Sequence, residues 1–160
     1  MKFIRNISML FVFVFCFGVM TSCFGGSGSK VTMSADEIYQ TAVKGIELGN
    51  LEKVSPSELS ALMGIKSSDF DDAAVYISIM NIKATEVGIF KFSSDQQSKE
   101  IDKAIEKRLK DLDTTWKTYL PDQYELVKGA KKFSFGNIKG YVIADDASKI
   151  VSKLESIGKK

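Results

Sequence analysis

The chain contains no histidine, and its two cysteines, Cys16 and Cys23, both lie near the amino terminus. Without imidazole, catalysis by Ser-His-Asp or Cys-His groups and imidazole zinc sites are excluded. Beyond Cys23 there is no thiol to build a thiolate metal site, an Fe–S cluster or a disulfide. The sequence therefore predicts that the residues after Cys23 fold around an apolar core without disulfides. No catalytic residue, metal or cofactor is assigned to them.

The chain also lacks an excess of charge of either sign. It has 22 basic and 20 acidic residues, and two of the basic ones, Lys2 and Arg5, lie at the amino terminus. Lysine and glutamate alternate along the rest of the chain, whereas nucleic-acid-binding proteins gather basic residues on one surface. We therefore expect no nucleic-acid partner.

The amino-terminal segment has the layout of a signal peptide. Lys2 and Arg5 precede an almost wholly apolar run from Ile7 to Met20. A helix of roughly 14 residues spans only about 21 Å, short of the roughly 30 Å needed to cross a bilayer. This pattern predicts a cleaved signal over residues 1–22 rather than a permanent anchor.

The residues Met20-Thr21-Ser22-Cys23 at the end of this run resemble the lipobox of bacterial lipoproteins. The resemblance implies that Cys23 takes a diacylglycerol through a thioether, that the chain is cut immediately before it, and that the protein is anchored on the extracytoplasmic face of the cell membrane. Residues 23–33 then contain the lipidated cysteine and a glycine- and serine-rich flexible tether. The alternative is an ordinary secretory signal that happens to end near a cysteine.

Residues 34–160 are predicted to form a single extracytoplasmic α+β domain that begins with two helices. Ser34-Ala35-Asp36-Glu37 is a capping-box pattern, and the helix it starts is expected to stop at Gly49-Asn50. Ser55-Pro56-Ser57-Glu58 starts a shorter helix that Gly64 ends.

Two hairpins follow from the period-two alternation of apolar residues. One joins strands from Ala73 to Met80 and from Thr85 to Phe92; the other joins Lys131–Phe135 to a strand from Ile138 to Ala144 through Gly136-Asn137. These patterns predict a four-stranded, mainly antiparallel sheet with helices covering one face.

A long helix is predicted between the hairpins, from the cap at Ser93-Ser94-Asp95 to about Tyr119. One apolar stripe runs along it, and the positions between, including Arg108, are predicted to be solvated. A final helix, capped by Asp145 or Asp146, is expected to pack on the sheet as well.

Three segments of this domain together resemble a family of lipoproteins known as domain of unknown function 4358. They are Glu86-Val87-Gly88-Ile89-Phe90-Lys91, the stretch from Tyr119 to Val127 that follows the charged helix ending in Trp116, and the strand-into-helix ending from Gly140 to Ile150. The resemblance implies a lipid-anchored domain of this general architecture. It carries over no activity, ligand or site residue.

Several carboxylates deserve a chemical interpretation. Asp69, Asp71 and Asp72 could bind Ca²⁺, but the EF-hand spacing fails, which favours a solvated turn. Asp145 and Asp146 could act as an acid/base pair, although their position before a helix favours capping. Glu86, Glu125 and these aspartates are the carboxylates that could form the catalytic pair of a glycosidase, which needs no histidine.

The turn after the long helix is the best candidate for a partner-binding surface. Tyr119, Gln123 and Tyr124 surround the rigid Leu120-Pro121-Asp122 turn, and aromatic side chains provide contact area at low entropic cost. The alternative is that both tyrosines pack against the domain itself.

The sequence therefore favours a membrane-anchored, non-catalytic binding or accessory domain that works through an envelope protein or peptide. A carboxylate-based hydrolase of envelope polysaccharide is the first alternative. A solute-binding lipoprotein is the second, although this length provides one lobe where such proteins usually close two.

Overall fold

A computed structural model of the chain describes residues 30–159, and the predicted signal peptide, Cys23 and most of the tether lie outside them. The described residues form one antiparallel sheet with α-helices on it, an α+β fold. The strands are β1 Leu51–Lys53, β2 Asp72–Ser78, β3 Glu86–Lys91, β4 Lys131–Phe135 and β5 Ile138–Ile143. The helices are α1 Ala35–Val43, α2 Pro56–Met63, α3 Asp95–Trp116, α4 Pro121–Lys128 and α5 Ala147–Ile157.

The sheet has five strands in the order β1-β2-β3-β5-β4, so the prediction of four strands was wrong. The missed strand is β1, which pairs Leu51 with Ser78 and Lys53 with Tyr76. A strand of three residues with one apolar side chain has no alternating run by which it could be recognised. The two predicted hairpins are present, with Gly136 at a φ of 51° in the turn between β4 and β5.

Helices cover both faces of the sheet, which corrects the expectation of one covered face. One core contains Ile38 of α1, Ile89 of β3 and Ile150 of α5; we call this side the α5 face. The other contains Phe90 of β3 and Ile101 of α3; we call it the α3 face. The central strand β3 is buried on both sides because its apolar residues occupy both alternating sets.

Helix boundaries follow the capping residues closely. Both predicted capping boxes, at Ser34 and Ser55, are present, and α2 ends at Gly64 in the left-handed conformation. Helix α1 ends at Val43, earlier than expected, because the chain turns at Gly45, whose φ is +73°. Asp146 occupies the N-cap position of α5, but its side chain makes no capping hydrogen bond there.

The sheet has two ends. We call the end beside the turn between β4 and β5 the near end, and the opposite end the far end. At the near end, the backbone N–H of Val31 donates to Asn137 Oδ1 over 2.8 Å, and the Lys91 ammonium donates to the carbonyl of Met33. These bonds fix the start of the described chain beside the turn between β4 and β5. The far end contains the β2–β3 loop, residues 79–85, and the turn between α3 and α4.

Candidate functional site

The far end concentrates exposed apolar side chains. Four large apolar residues are classed as exposed in the described part of the chain: Ile79, Met80, Ile82 and Tyr119, with exposures of 58%, 46%, 45% and 52%. The first three lie in the β2–β3 loop, and Tyr119 follows the end of α3. We call these four residues the far-end surface. Grouped apolar side chains on an exposed surface are a common mark of a binding site for another protein.

A hydrogen bond ties the two loops of the far-end surface together. The backbone N–H of Ala84 donates to Gln123 Oε1 over 2.9 Å, which joins the β2–β3 loop to the first turn of α4. Ala84 is buried and shares a core with Trp116 and Tyr124. Three of the four residues of the far-end surface are therefore carried by a loop that is anchored at its base.

The three residues predicted to bind a partner have different surroundings. Tyr119 is exposed, with its ring 5.6 Å from that of Trp116. Gln123 is half-buried and engaged by Ala84. Tyr124 is half-buried against the core, and the Lys128 ammonium lies 4.8 Å from its ring centre. The structure thus brings Tyr119 to the surface and places Gln123 and Tyr124 in supporting positions.

The base of the far end contains an ion pair that the sequence did not reveal. Arg108 donates from Nε to Glu86 Oε1 over 2.9 Å and from Nη2 to Oε2 over 2.7 Å. The hydroxyl of Tyr141 also donates to Glu86 Oε1. Glu86 is 2% exposed, and it is the one buried charged residue in the described part of the chain. The prediction that Arg108 lies on a solvated face was wrong.

Geometry explains how three polar groups can share the α3 face. Tyr141 on β5 lies opposite Gly88 on β3, where an added Cβ would stand 2.4 Å from Tyr141 Cε1. The glycine thus lets the ring lie flat across the neighbouring strand and carry its hydroxyl to Glu86. A bidentate arginine satisfies both carboxylate oxygens, which is the condition under which a buried charge is tolerated.

The ion pair also shifts the ionisation of its neighbours. Burial, followed by the negative charge of Glu86, raises the pKa of Tyr141 well above its ordinary value. Burial opposes the charge on Arg108, yet the hydrogen bonds and charge of Glu86 outweigh it and raise the pKa of the guanidinium. Tyr141 and Arg108 therefore both keep the protons that they donate to Glu86.

The aspartates considered as ligands accept hydrogen bonds from nearby groups. Asp69 accepts from the N–H of Lys66, Asp71 from Ser93 and Gln97, and Asp72 from the N–H of Ala35. Within residues 30–159 no group of three or more histidine, cysteine, aspartate or glutamate side chains is placed to hold a metal ion. Glu125 is exposed and pairs with Lys128 over 2.6 Å.

Within residues 30–159, no helix is both long enough and apolar enough to cross a membrane.

Comparison with known proteins gave one match. A family model described as Domain of unknown function (DUF4358) matches residues 44–144. The match confirms the domain family inferred from the sequence. It reaches further toward the amino terminus, through β1 and α2, and ends at residue 144, before the last six residues of the inferred resemblance. Neither the curated proteins nor the solved structures gave a match.

Proposed function

From the premise that the chain belongs to the domain of unknown function 4358 family, we propose that it is a lipid-anchored binding domain at the cell envelope. In this proposal Cys23 carries the lipid, and the far-end surface binds an envelope protein or peptide. The observation that carries the proposal is the position of the far-end surface, at the opposite end of the sheet from the start of the described chain.

Two distances support this arrangement. Residues 24–29 separate Cys23 from the described chain, and six extended residues reach at most about 20 Å. The strand β2 has seven residues and runs from the near end to the far end, about 20 Å further along. A lipid on Cys23 would therefore hold the near end within about 20 Å of the membrane, with the far-end surface at the other end of the sheet.

The chemistry of the exposed side chains at the far end supports a protein or peptide as the partner. The exposed side chains at the far end are aliphatic, thioether and phenolic groups, which bind by desolvation and shape. Lys83 lies between Ile82 and Ala84 in the same loop and is exposed. Apolar groups with a polar border are the ordinary composition of a protein interface.

The anchor is tested by replacing Cys23 with serine. We expect the Cys23→Ser chain to incorporate no acyl label and to leave the membrane fraction, whereas Ser22→Ala, which keeps the thiol, should still be labelled. Equal labelling of the wild type and the Cys23→Ser chain would contradict the anchor. This test does not involve the far-end surface.

Partner binding is tested by photo-cross-linking in intact cells that produce the protein. A photoreactive residue at Ile82 should give one reproducible adduct with a membrane or envelope protein. The matched position is Ser152, which is exposed on α5. The same set of adducts from both positions would show that the far end has no preferred partner.

A further inference from the structure

The edge strand β1 and the helix that follows it form a second surface, separate from the far-end surface. A groove of about 280 Å³ lies between them, lined by Glu52, Lys53, Val54, Glu58, Ala61, Leu62 and Ile77. We propose that this groove binds an extended peptide as an added strand on β1, with one apolar side chain in the groove and basic residues beside it.

The backbone of β1 offers the hydrogen bonds that an added strand needs. Val54 N–H donates to the carbonyl of Val75 over 2.8 Å, and Ile79 N–H donates to that of Asn50, so alternate residues of this segment face β2. Leu51 and Lys53, in the intervening positions, turn their backbone groups outward. Because β1 is an edge strand of the sheet, a peptide can pair with these outward-facing backbone groups.

The groove supplies an apolar contact for one peptide side chain. Glu58, Ala61 and Leu62 are spaced three and four residues apart, so they lie on one side of α2. Val54 forms part of the buried core, while Leu62 and Ile77 are only partly buried. A leucine- or methionine-sized side chain entering beside Ala61 would cover these partly exposed groups.

Charge selects basic residues for the flanking positions. Glu52 and Glu58 are both exposed at the groove, and hydrogen bonds from Ser55 lower the pKa of Glu58, which keeps it ionised. The Lys53 ammonium pairs with Asp36 of α1, on the other face of the sheet. The opposite edge strand, β4, begins with the exposed Lys131 and Lys132, which would repel the same peptide.

The groove does not depend on the lipid or on the far-end surface, so it can be tested by itself. The purified full chain with Cys23→Ser is used to select from a displayed library of random heptapeptides. We expect enrichment of peptides in which an apolar residue is flanked by lysine or arginine. No enrichment, or enrichment of acidic peptides, would overturn the proposal.

Variants then locate the binding of a selected peptide. Glu52→Lys, which removes a rim carboxylate, and Ala61→Trp, which fills the groove, are each expected to weaken binding by about tenfold, the equivalent of one good contact. Glu155→Lys makes the same charge change on exposed α5 and should leave binding unchanged. Since Glu52 and Ala61 are exposed, circular dichroism should confirm that both variants fold; equal binding by all three would refute the groove.

Discussion

The two ends of the sheet are held by different contacts. At the near end, side chains of Asp72, Asn137 and Lys91 bind backbone groups of the first described residues. At the far end, hydrogen bonds from Ala84 N–H to Gln123 and from Ile79 N–H to Asn50 tie down a loop that leaves the side chains of Ile79, Met80 and Ile82 exposed. The near end uses its polar groups on its own chain, and the far end leaves apolar groups available to another molecule.

The far end rests on the buried ion pair, so removing Arg108 should have the largest effect on stability. Arg108→Ala leaves Glu86 buried without its partner, which typically costs about 3–5 kcal/mol. Urea denaturation measures this loss. The exposed Lys110→Ala on the same helix is the control and should change stability by less than about 0.5 kcal/mol. A cost for Arg108→Ala below that of an exposed residue would mean that the ion pair does not support the far end.

The bond from Tyr141 predicts a specific dependence of stability on pH. Because the folded protein holds the pKa of Tyr141 above that of the unfolded chain, its contribution is complete below the unfolded value and is lost as the pH rises toward the folded one. Above about pH 10 the free energy of unfolding should therefore fall by about 1.4 kcal/mol per pH unit more in the wild type than in Tyr141→Phe. Parallel curves would contradict this assignment.

One matched pair of substitutions compares the two ends directly. Gln123→Ala leaves the N–H of buried Ala84 without its acceptor, which costs about 1–3 kcal/mol. Asn137→Ala removes the acceptor of the Val31 N–H at the near end. Val31 is buried, but the residue before it, Lys30, is exposed, so we expect water to replace the lost acceptor and the cost to be about 1 kcal/mol or less. Chemical denaturation of both variants measures the difference. A larger cost at the near end would reverse our account of how the ends are held.

The smallest effect on stability is expected at the tip of the far-end loop. Ile82 is 45% exposed, so Ile82→Ser should change the free energy of unfolding by less than about 0.5 kcal/mol. Val87→Ser, on the buried strand that follows, is the contrasting variant and should be strongly destabilising. A marked loss of stability in Ile82→Ser would show that Ile82 serves the fold and is not free for a partner.

The sequence predicted those features that depend on neighbouring residues. The capping boxes at Ser34 and Ser55, the glycine that ends α2 and the turn at Gly136 are all local, and all are present. Strand β1 could not be predicted, because its pairing with β2 is decided by residues about 25 positions away in the chain.

The candidate site was predicted only in part, for the same reason. The apolar stripe of α3 locates the helix but does not show that Arg108, beside that stripe, reaches back to Glu86 on β3. Gly88 inside a strand pattern was the one available signal, since such a glycine often marks the close approach of another group. Tyr119 was predicted from its turn, whereas Ile79 and Met80 were assigned to a strand, and that assignment was wrong because β2 ends at Ser78.

The central claim is that the far-end surface binds an envelope partner, and the most direct test removes its apolar character without disturbing the fold. Photo-cross-linking from position 119 should be compared in intact cells between the wild-type loop and a loop carrying Ile79→Ser, Met80→Ser and Ile82→Ser. Our account predicts a single adduct in the wild type and its loss in a variant of equal stability and membrane attachment. Retention of the adduct in the folded, attached variant would contradict it.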